Sequence, residues 1–540
     1  MIENRNNNIE EAIYLHTLHE LPQSTTIKDD DVNNDVINLK IIKAIELNNS
    51  SLFDVHRWSS YKEVNFAVDA LYNELKQVNG FGINSTVRKH HLKVIILDLY
   101  VKWITDPSMY SSFYRGDYYY QDIRGRYNKL FITKITKKVL VALEQMGYLT
   151  SFKGCFSRDG KRSSYMSRMR ATDKLINVIV KDYQIKSHMI ELAPDTECIV
   201  MRNYVEAKKK QVNIDYSDSD YPEISRWRSE LVAYNNLLRA TYIDIPSFPQ
   251  SGLVTSKNSK SFKSNQKIQL SHHEKFIKRI FNNNNWENGG RFYGGWWQRI
   301  PSEWRPRIRI GNMPISEIDY KGLHIVILYA MEGINYREDP YELDSFEVSA
   351  RMRELLKQVL LCSINAEDPP SAIAAIQMEI NFNPEEYSWT KELDLDLENL
   401  INLFVSKHEV IKHYFFKSSG IRLQNLDSRM AELVINHFTE QKIPVLCIHD
   451  SFVISTDKAE ELKAKMIESF QKVVTENGLP DSSDPRTTET SLGVGQWAVI
   501  LSDPNWRDTL HGFINEPNDY PKWHKNLTEF KSRKIIDYYC

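Results

Sequence analysis

The stretch Ile443 to Ser455, IPVLCIHDSFVIS, limits the fold most tightly. Two apolar runs, Val445 to Ile448 and Phe452 to Ile454, flank the polar tip His449-Asp450-Ser451. That pattern predicts strand, tight turn, strand. Asp and Ser are ordinary turn residues, so the tip alone demands no function. A carboxylate at the end of a rigid hairpin is also what a metal-holding site requires, and the rest of the chain has to decide between the two readings.

A second carboxylate has a similar setting upstream. MPISEIDYKGLHIVILYAMEG places Asp319 at the end of a predicted strand, Ile315 to Ile318, before an apolar helical stretch, Leu323 to Met331. Read alone, Asp319 serves equally well as a helix N-cap. Nucleotidyl transfer needs two carboxylates on rigid strands, clamping two divalent ions about 3.5–4 Å apart. Magnesium prefers such oxygen ligands and completes its shell with phosphates and water. Asp319 and Asp450 supply that pair if their strands are neighbours. Between them, Arg353, Lys357, Leu361 and Asn365 recur at four-residue steps. In a helix they share one face. A guanidinium and an ammonium one turn apart suit a phosphate chain. A helix whose basic residues simply face water has the same pattern.

The order Asp319, then Arg353-Lys357-Leu361-Asn365, then His449-Asp450 resembles motifs A, B and C of family A DNA polymerases and phage-type single-subunit RNA polymerases. IDYKGLH resembles motif A and VLCIHDSF motif C. GGRFYGGWWQRIP resembles the segment upstream of motif A, and IRLQNLDSRMAELVINHF the helix before motif C. The resemblance spans roughly residues 288–456. It implies an α+β chain with a polymerase-like palm and compact fingers in the C-terminal half. It makes Asp319, Asp450 and the Tyr320 carbonyl ligands of two Mg²⁺, for which Mn²⁺ can substitute. Arg353, Lys357, Leu361 and Asn365 would hold the incoming nucleotide, with Tyr320 and His324 shaping its pocket. Lys357 would protonate the leaving pyrophosphate. Arg291, Tyr293, Gln424 and His449 would face primer and template. The implied partners are a primer–template and nucleoside triphosphates.

The chain departs from the family in places. Asn365-Ala366 stands where motif B has Tyr-Gly, so the ring that closes over the nascent base pair is missing. His324 stands five residues after Asp319, where the DNA polymerases carry Glu and the RNA polymerases Gly. A bulky His points to deoxynucleotides, while Ser451 in motif C points to ribonucleotides, and the sugar stays open. The interval between Asp319 and Asp450 is short, which fits priming as well as long extension. No acidic cluster supplies a proofreading exonuclease; the acidic LDLDLENL, Leu393 to Leu400, reads as a solvated helix face.

At 540 residues the chain is long enough for two to four domains. Net charge is −2 at pH 7, so any nucleic-acid surface must come from local segregation of charge. Arg124 to Lys174 provides it, with 13 basic residues against 3 acidic ones. Within it Ile135, Val139, Ala142, Leu143 and Met146 share one helical face. The Asp159-Gly160 pair then predicts a hairpin turn. Helix followed by basic hairpin is the layout of a winged helix. LEQMGYL and SRMRAT resemble winged-helix domains of plasmid-type replication initiators. Lys134, Lys137, Lys138, Arg158, Lys161, Arg162, Arg168 and Arg170 are the candidate contacts to a DNA duplex; a solvated basic hairpin is the plainer alternative.

The expected domains are a poorly ordered or loosely helical N-terminus over 1–55, a mostly α winged-helix domain over 56–248, a linker over 249–274 and the palm with fingers over 275–540. Five scattered cysteines without a CxxC pair fit a reducing cytoplasm. No apolar run is long enough to span a bilayer, and no membrane role is expected. Taken together these features point to a template-directed polymerase or primase of a mobile element, plasmid or phage, recruited to DNA by its winged helix. The competing reading is a DNA-binding replication initiator with an inactive polymerase-like domain. A metal-dependent phosphohydrolase of the HD type fits poorly, because His449-Asp450 sits in a hairpin rather than on helices.

Overall fold

The computed structural model describes residues 47–78, 85–115, 125–154, 165–206, 210–246, 253–254, 267–311, 313–343, 348–393, 395–476, 485 and 487–491. They fall into two units. The first holds residues up to 197 together with 253–254 and 267–271; the second holds 198–246 and 272 onward.

The first unit is built around a long helix. Strand β1 (Ser50–Leu52) precedes helix α1 (Lys62–Leu75) and helix α2 (Ser85–Thr105). Strand β2 (Tyr110–Phe113) follows, then helix α3 (Ile135–Gln145), strand β3 (Leu149–Phe152) and strand β4 (Ser167–Ala171). Leu92, Val94, Ile95, Ile96, Leu97 and Leu99 of α2 are fully or almost fully buried, so this helix is core on most of its surface. Each such side chain contributes about 1.5–3 kcal/mol by leaving water. Asp98 is buried among them and is satisfied by the Ser111 hydroxyl at 2.6 Å and by Lys102. Helix α3 buries Thr136, Val139, Leu140, Ala142 and Leu143, close to the expected face. The four strands form one sheet in the order β1-β2-β4-β3, with β3 and β4 antiparallel and β1 parallel to β2.

The second unit contains two four-stranded sheets. One joins strands β5 (Ile199–Val205), β6 (Lys210–Ile214), β7 (Lys278–Asn282) and β8 (Asn285–Tyr293), with helix α4 (Ile224–Ala240) between β6 and β7 in sequence. The other joins strand β9 (Ile315–Tyr320), strand β10 (Leu446–Ile448), strand β11 (Ser451–Ser455) and strand β12 (Thr487–Ser491), in the order β10-β11-β9-β12. Its helices include α5 (Leu323–Met331), α6 (Ala350–Asn365), α7 (Gly420–Glu440) and α8 (Ala459–Glu476).

Two expected boundaries move. Residues 198–248 do not join the basic segment, because β5 pairs in parallel with β7 and becomes part of the second unit. The expected linker is described only at 253–254 and 267–274; Leu253–Val254 pairs with Lys267–Ile268, and Gln269 bonds Asp106 at 2.7 Å. Ser50–Leu52, expected to be loose, is a paired strand because Ser50 lies against Tyr110 in register. The rest of the expected loose N-terminus, 1–46, lies outside the described residues. No described helix is long and apolar enough to cross a membrane.

Candidate active site

Alternation along β9 puts Glu317 and Asp319 on one face and Ile318 and Tyr320 on the other. Ile318 and Tyr320 are buried, and the Tyr320 hydroxyl donates to the Met466 carbonyl of α8 at 2.5 Å. The Tyr320 ring therefore anchors the strand and does not line a nucleotide pocket. The strand runs two residues further than expected, through Tyr320, which fixes Asp319 inside a ladder rather than at a frayed end.

Register brings the carboxylates together. Asp319 lies opposite Ser451 on β11, so Asp450 is one residue away at the hairpin tip. The tip is a two-residue loop, His449-Asp450, closed by the Ile448–Ser451 pair. Two-residue hairpins demand positive φ at the first loop residue. His449 meets that demand with φ 59°, a conformation that costs a non-glycine residue about 1–2 kcal/mol. Its imidazole packs edge-on against the Tyr293 ring at 5.3 Å, and its Nδ1 is buried without a partner among the described residues. Burial and the neighbouring Arg291 charge hold its pKa below the ordinary value. Beneath the tip, the Trp297 indole and the Gln298 amide donate to the Cys447 carbonyl. The Tyr234 hydroxyl donates to Val445, so the hairpin is pinned from several sides.

The Asp319 carboxyl is pushed up to about 7, first by the protein crowding it and then by the charges of Asp450 and Glu317; Arg305 and Lys357 pull the other way. Part of its surface remains open to solvent. Two neighbouring carboxylates, with Asp319 resisting its charge, form a donor set that fits a divalent cation. Among the described residues, no group of three or more His, Cys, Asp and Glu side chains is arranged to hold a metal ion. The Asp319–Asp450 pair would therefore hold its ions with oxygens from backbone, substrate and water.

Ser451, whose hydroxyl looked like a family marker, donates to Glu317 Oε1 at 2.9 Å. Arg305 pairs with the same oxygen at 2.6 Å. This triad braces β9 directly beside Asp319.

Sequence reading missed Asp427. It is buried on α7, and Arg291 of β8 grips both its carboxylate oxygens through Nε at 3.0 and 3.1 Å. The His324 Nε2 on α5 lies 2.9 Å from Asp427 Oδ2. Burial works against the Arg291 charge, and its bonds to Asp427 more than offset this, so the guanidinium holds its proton more tightly than usual. Arg291 and His324 are thus spent on a structural network that joins β8, α5 and α7 beside the hairpin, rather than standing free for template or sugar. Gln424, one turn before Asp427 on α7, is half-buried. Asp427 could have been noticed as a lone acid in an otherwise apolar stripe of that helix.

Helix α6 buries Met352, Leu355, Leu356, Val359, Leu360 and Ile364. Arg353, Lys357, Leu361 and Asn365 occupy the opposite, half-exposed or exposed side. Arg353 pairs with Asp339 at 2.5 Å over the Tyr341 ring, and Lys357 with Glu354 at 2.7 Å. Asn365 returns its amide to the Leu361 carbonyl.

In the first unit, Lys134 at the N-cap of α3 and Lys138 on it are exposed, and Lys137 is half-exposed. Arg168 turns inward: its guanidinium donates to the carbonyls of Leu47 and Met166, so it holds the sheet together instead of offering charge to a ligand. Arg170 stacks over the Tyr110 ring at 4.7 Å. Arg158, Lys161 and Arg162 lie outside the described residues.

No protein-family model matches the sequence, and no curated protein matches it. Among solved structures, the chain is similar to the POL domain of Pol1 from M. smegmatis in complex with DNA primer-template and dNTP. The identity is 10% and the TM-score 0.24, over 84% of this chain and 65% of that one. This chain thus spans less than two thirds of the matched structure, and a likeness at that score carries no argument here.

Proposed function

We propose that the second unit is a template-directed nucleotidyltransferase, a DNA or RNA polymerase or a primase. One observation carries the reading: the antiparallel register of β9 and β11 sets two carboxylates side by side on braced strands, with Asp319 pushed up to about 7 in part by Asp450. Asp319 and Asp450 would hold two divalent ions, which would neutralise a triphosphate and acidify a 3′-hydroxyl. Lys357, whose charge acts on Asp319, binds the phosphate chain and holds a proton at Nζ for the leaving pyrophosphate. Arg353 swings from Asp339 to the same chain. An exposed ion pair of this kind contributes only about 0–1 kcal/mol, so a triphosphate displaces it readily. His449 and Tyr293 form the wall next to Asp450. The outer α6 face, Leu361 and Asn365 included, receives the sugar and base.

The first unit adds recruitment. Strand β2, helix α3 and the antiparallel strands β3 and β4 come in the chain order of a winged helix, and Lys137 and Lys138, with Lys134 at its N-cap, lie on the helix that would enter a groove. A binding-platform reading, without catalysis, draws on the pairing of Arg353 and Lys357 with Asp339 and Glu354.

The test is primer extension by the full chain on DNA and RNA templates, with all dNTPs or all NTPs, with and without Mg²⁺. Metal-dependent extension that falls about a thousand-fold in Asp319→Asn and in Asp450→Asn is expected. Extension that persists in either variant overturns the mechanism. No extension by the wild type under any of these conditions leaves the binding platform.

A further inference from the structure

The loop that leads into α3 holds an exposed aromatic ring in a costly backbone conformation. Phe131 is 75% exposed, and its φ is 52°. The left-handed region is unfavourable for a bulky residue, whereas glycine adopts it freely. The chain on either side enforces the turn. Leu130 and Ile132 are buried. The Asn128 side chain clasps Ile132, accepting from its N–H at 2.7 Å and donating to its carbonyl at 2.8 Å. The Phe131 N–H donates to the Asn128 carbonyl at 3.0 Å, and the Thr133 N–H donates to His91 Nε2 of α2 at 2.9 Å. The turn thus lets both neighbours face the core and leaves the ring outside. That ring makes no aromatic contact among the described residues.

A single exposed apolar side chain needs no explanation by itself. Phe131, however, stands in a row of cations. Lys129 comes two residues before it and Lys134 three residues after it. Lys129, Lys134 and Lys138 are exposed, and none is in an ion pair among the described residues. Lys134 at the N-cap, Lys138 and the half-exposed Val141 follow at helical spacing on the open side of α3. The one acid of this helix, Glu144, lies in its last turn and accepts from the Ser151 hydroxyl at 2.8 Å. A ring among uncompensated ammonium groups fits a polyanion that carries flat apolar faces between its charges. Nucleic acid has that chemistry. A lipid surface asks for a broader apolar face than one ring.

We propose that Phe131 is a wedge that enters a base step of a DNA duplex bound along α3. The ammonium groups of Lys129, Lys134 and Lys138 meet phosphates. The ring stacks on one base and partly separates it from its neighbour, as apolar wedges do. The clasped loop fixes the ring before DNA arrives, so little ordering is lost on binding. Pyrimidine–purine steps, which unstack easily, are the entry points. The wedge presupposes the recruitment proposed for the first unit and adds a deformation of the DNA to it.

Titration of the full chain, at low salt and in EDTA, into an alternating A·T duplex tests it. The duplex carries a terminal dye, whose anisotropy reports binding, and a fluorescent adenine analogue, whose emission rises on unstacking. Emission should rise as the wild type binds. Phe131→Ala should bind about ten-fold more weakly, with an unchanged salt slope and flat emission. Phe131→Gly should behave alike, and because glycine accepts the left-handed turn this variant keeps the fold. Lys134→Ala with Lys138→Ala should weaken binding and flatten the salt slope instead. Duplex binding that the lysine variant weakens, while both Phe131 variants keep wild-type affinity and emission, overturns the wedge and leaves recruitment standing. Absence of duplex binding by the wild type removes both. Capture by vesicles of anionic lipid that both Phe131 variants abolish, with no rise in duplex emission, also overturns the wedge and makes the ring a membrane contact.

Discussion

Asp319 carries a charge that its surroundings resist. In the unfolded chain its proton leaves in the ordinary carboxylate range, and in the folded protein only near 7. Between those values acid favours the fold, and the contribution is lost as pH rises through 7. Metal-free protein should therefore lose melting temperature between pH 5 and 8 more steeply than Asp319→Asn does. Mg²⁺ at pH 8 should raise the melting temperature of the wild type and leave that of the variant unmoved. A wild-type and a variant curve of equal slope would show that the charge is not strained. Asp427 is a buried acid held by Arg291 and His324. Asp427→Ala leaves that half-buried guanidinium without its carboxylate, and denaturant titration should show a loss of about 3 kcal/mol, the low end for a buried pair. His449 sits between the two, strained by its positive φ. His449→Gly should keep or raise stability by up to about 1 kcal/mol while primer extension falls at least about ten-fold. A fall in stability instead would make the His449–Tyr293 contact the dominant role of that side chain.

On the proposed mechanism, helix α6 separates stability from function by face. Its apolar side is buried and its polar side is open, so Arg353→Ala and Lys357→Ala should each change stability by under about 0.5 kcal/mol. The same variants should lower kcat/KM for extension by about a hundred-fold. This division was legible in the sequence because helical spacing is local: four-residue steps show the shared side, and the predicted helix Leu323 to Met331 matches the structure end for end. The hairpin was legible for the same reason, its two strands being separated by two residues. What was not legible depends on partners far along the chain. Nothing near Asp427 shows that it meets Arg291, 136 residues away. Nothing near Ser451 shows that its hydroxyl reaches Glu317, 134 residues away. The boundary before residue 198 was missed because β5 finds its partner, β7, across the whole of α4.

Across the whole molecule, the net charge of −2 conceals a basic segment and a carboxylate pair in different units. If the first unit binds duplex DNA, the dependence of log affinity on log salt should be steep, and Lys134→Ala with Lys138→Ala should flatten its slope by about 2. Extension of a preformed primer–template by that double variant at low salt should stay near the wild-type rate; a matched fall in both would mean that the two units share one nucleic-acid surface. The sheet that carries Asp319 depends on a late segment of the chain. Asp319 lies on a strand flanked by β11 on one side and by Thr487–Ser491 on the other. The last ladder that steadies β9 thus comes from a segment translated more than 160 residues after it. During synthesis Asp319 exists long before its second flanking ladder can close. If the proposed chemistry holds, it switches on late in synthesis, and a protease cutting ahead of residue 487 should abolish it without touching either acid.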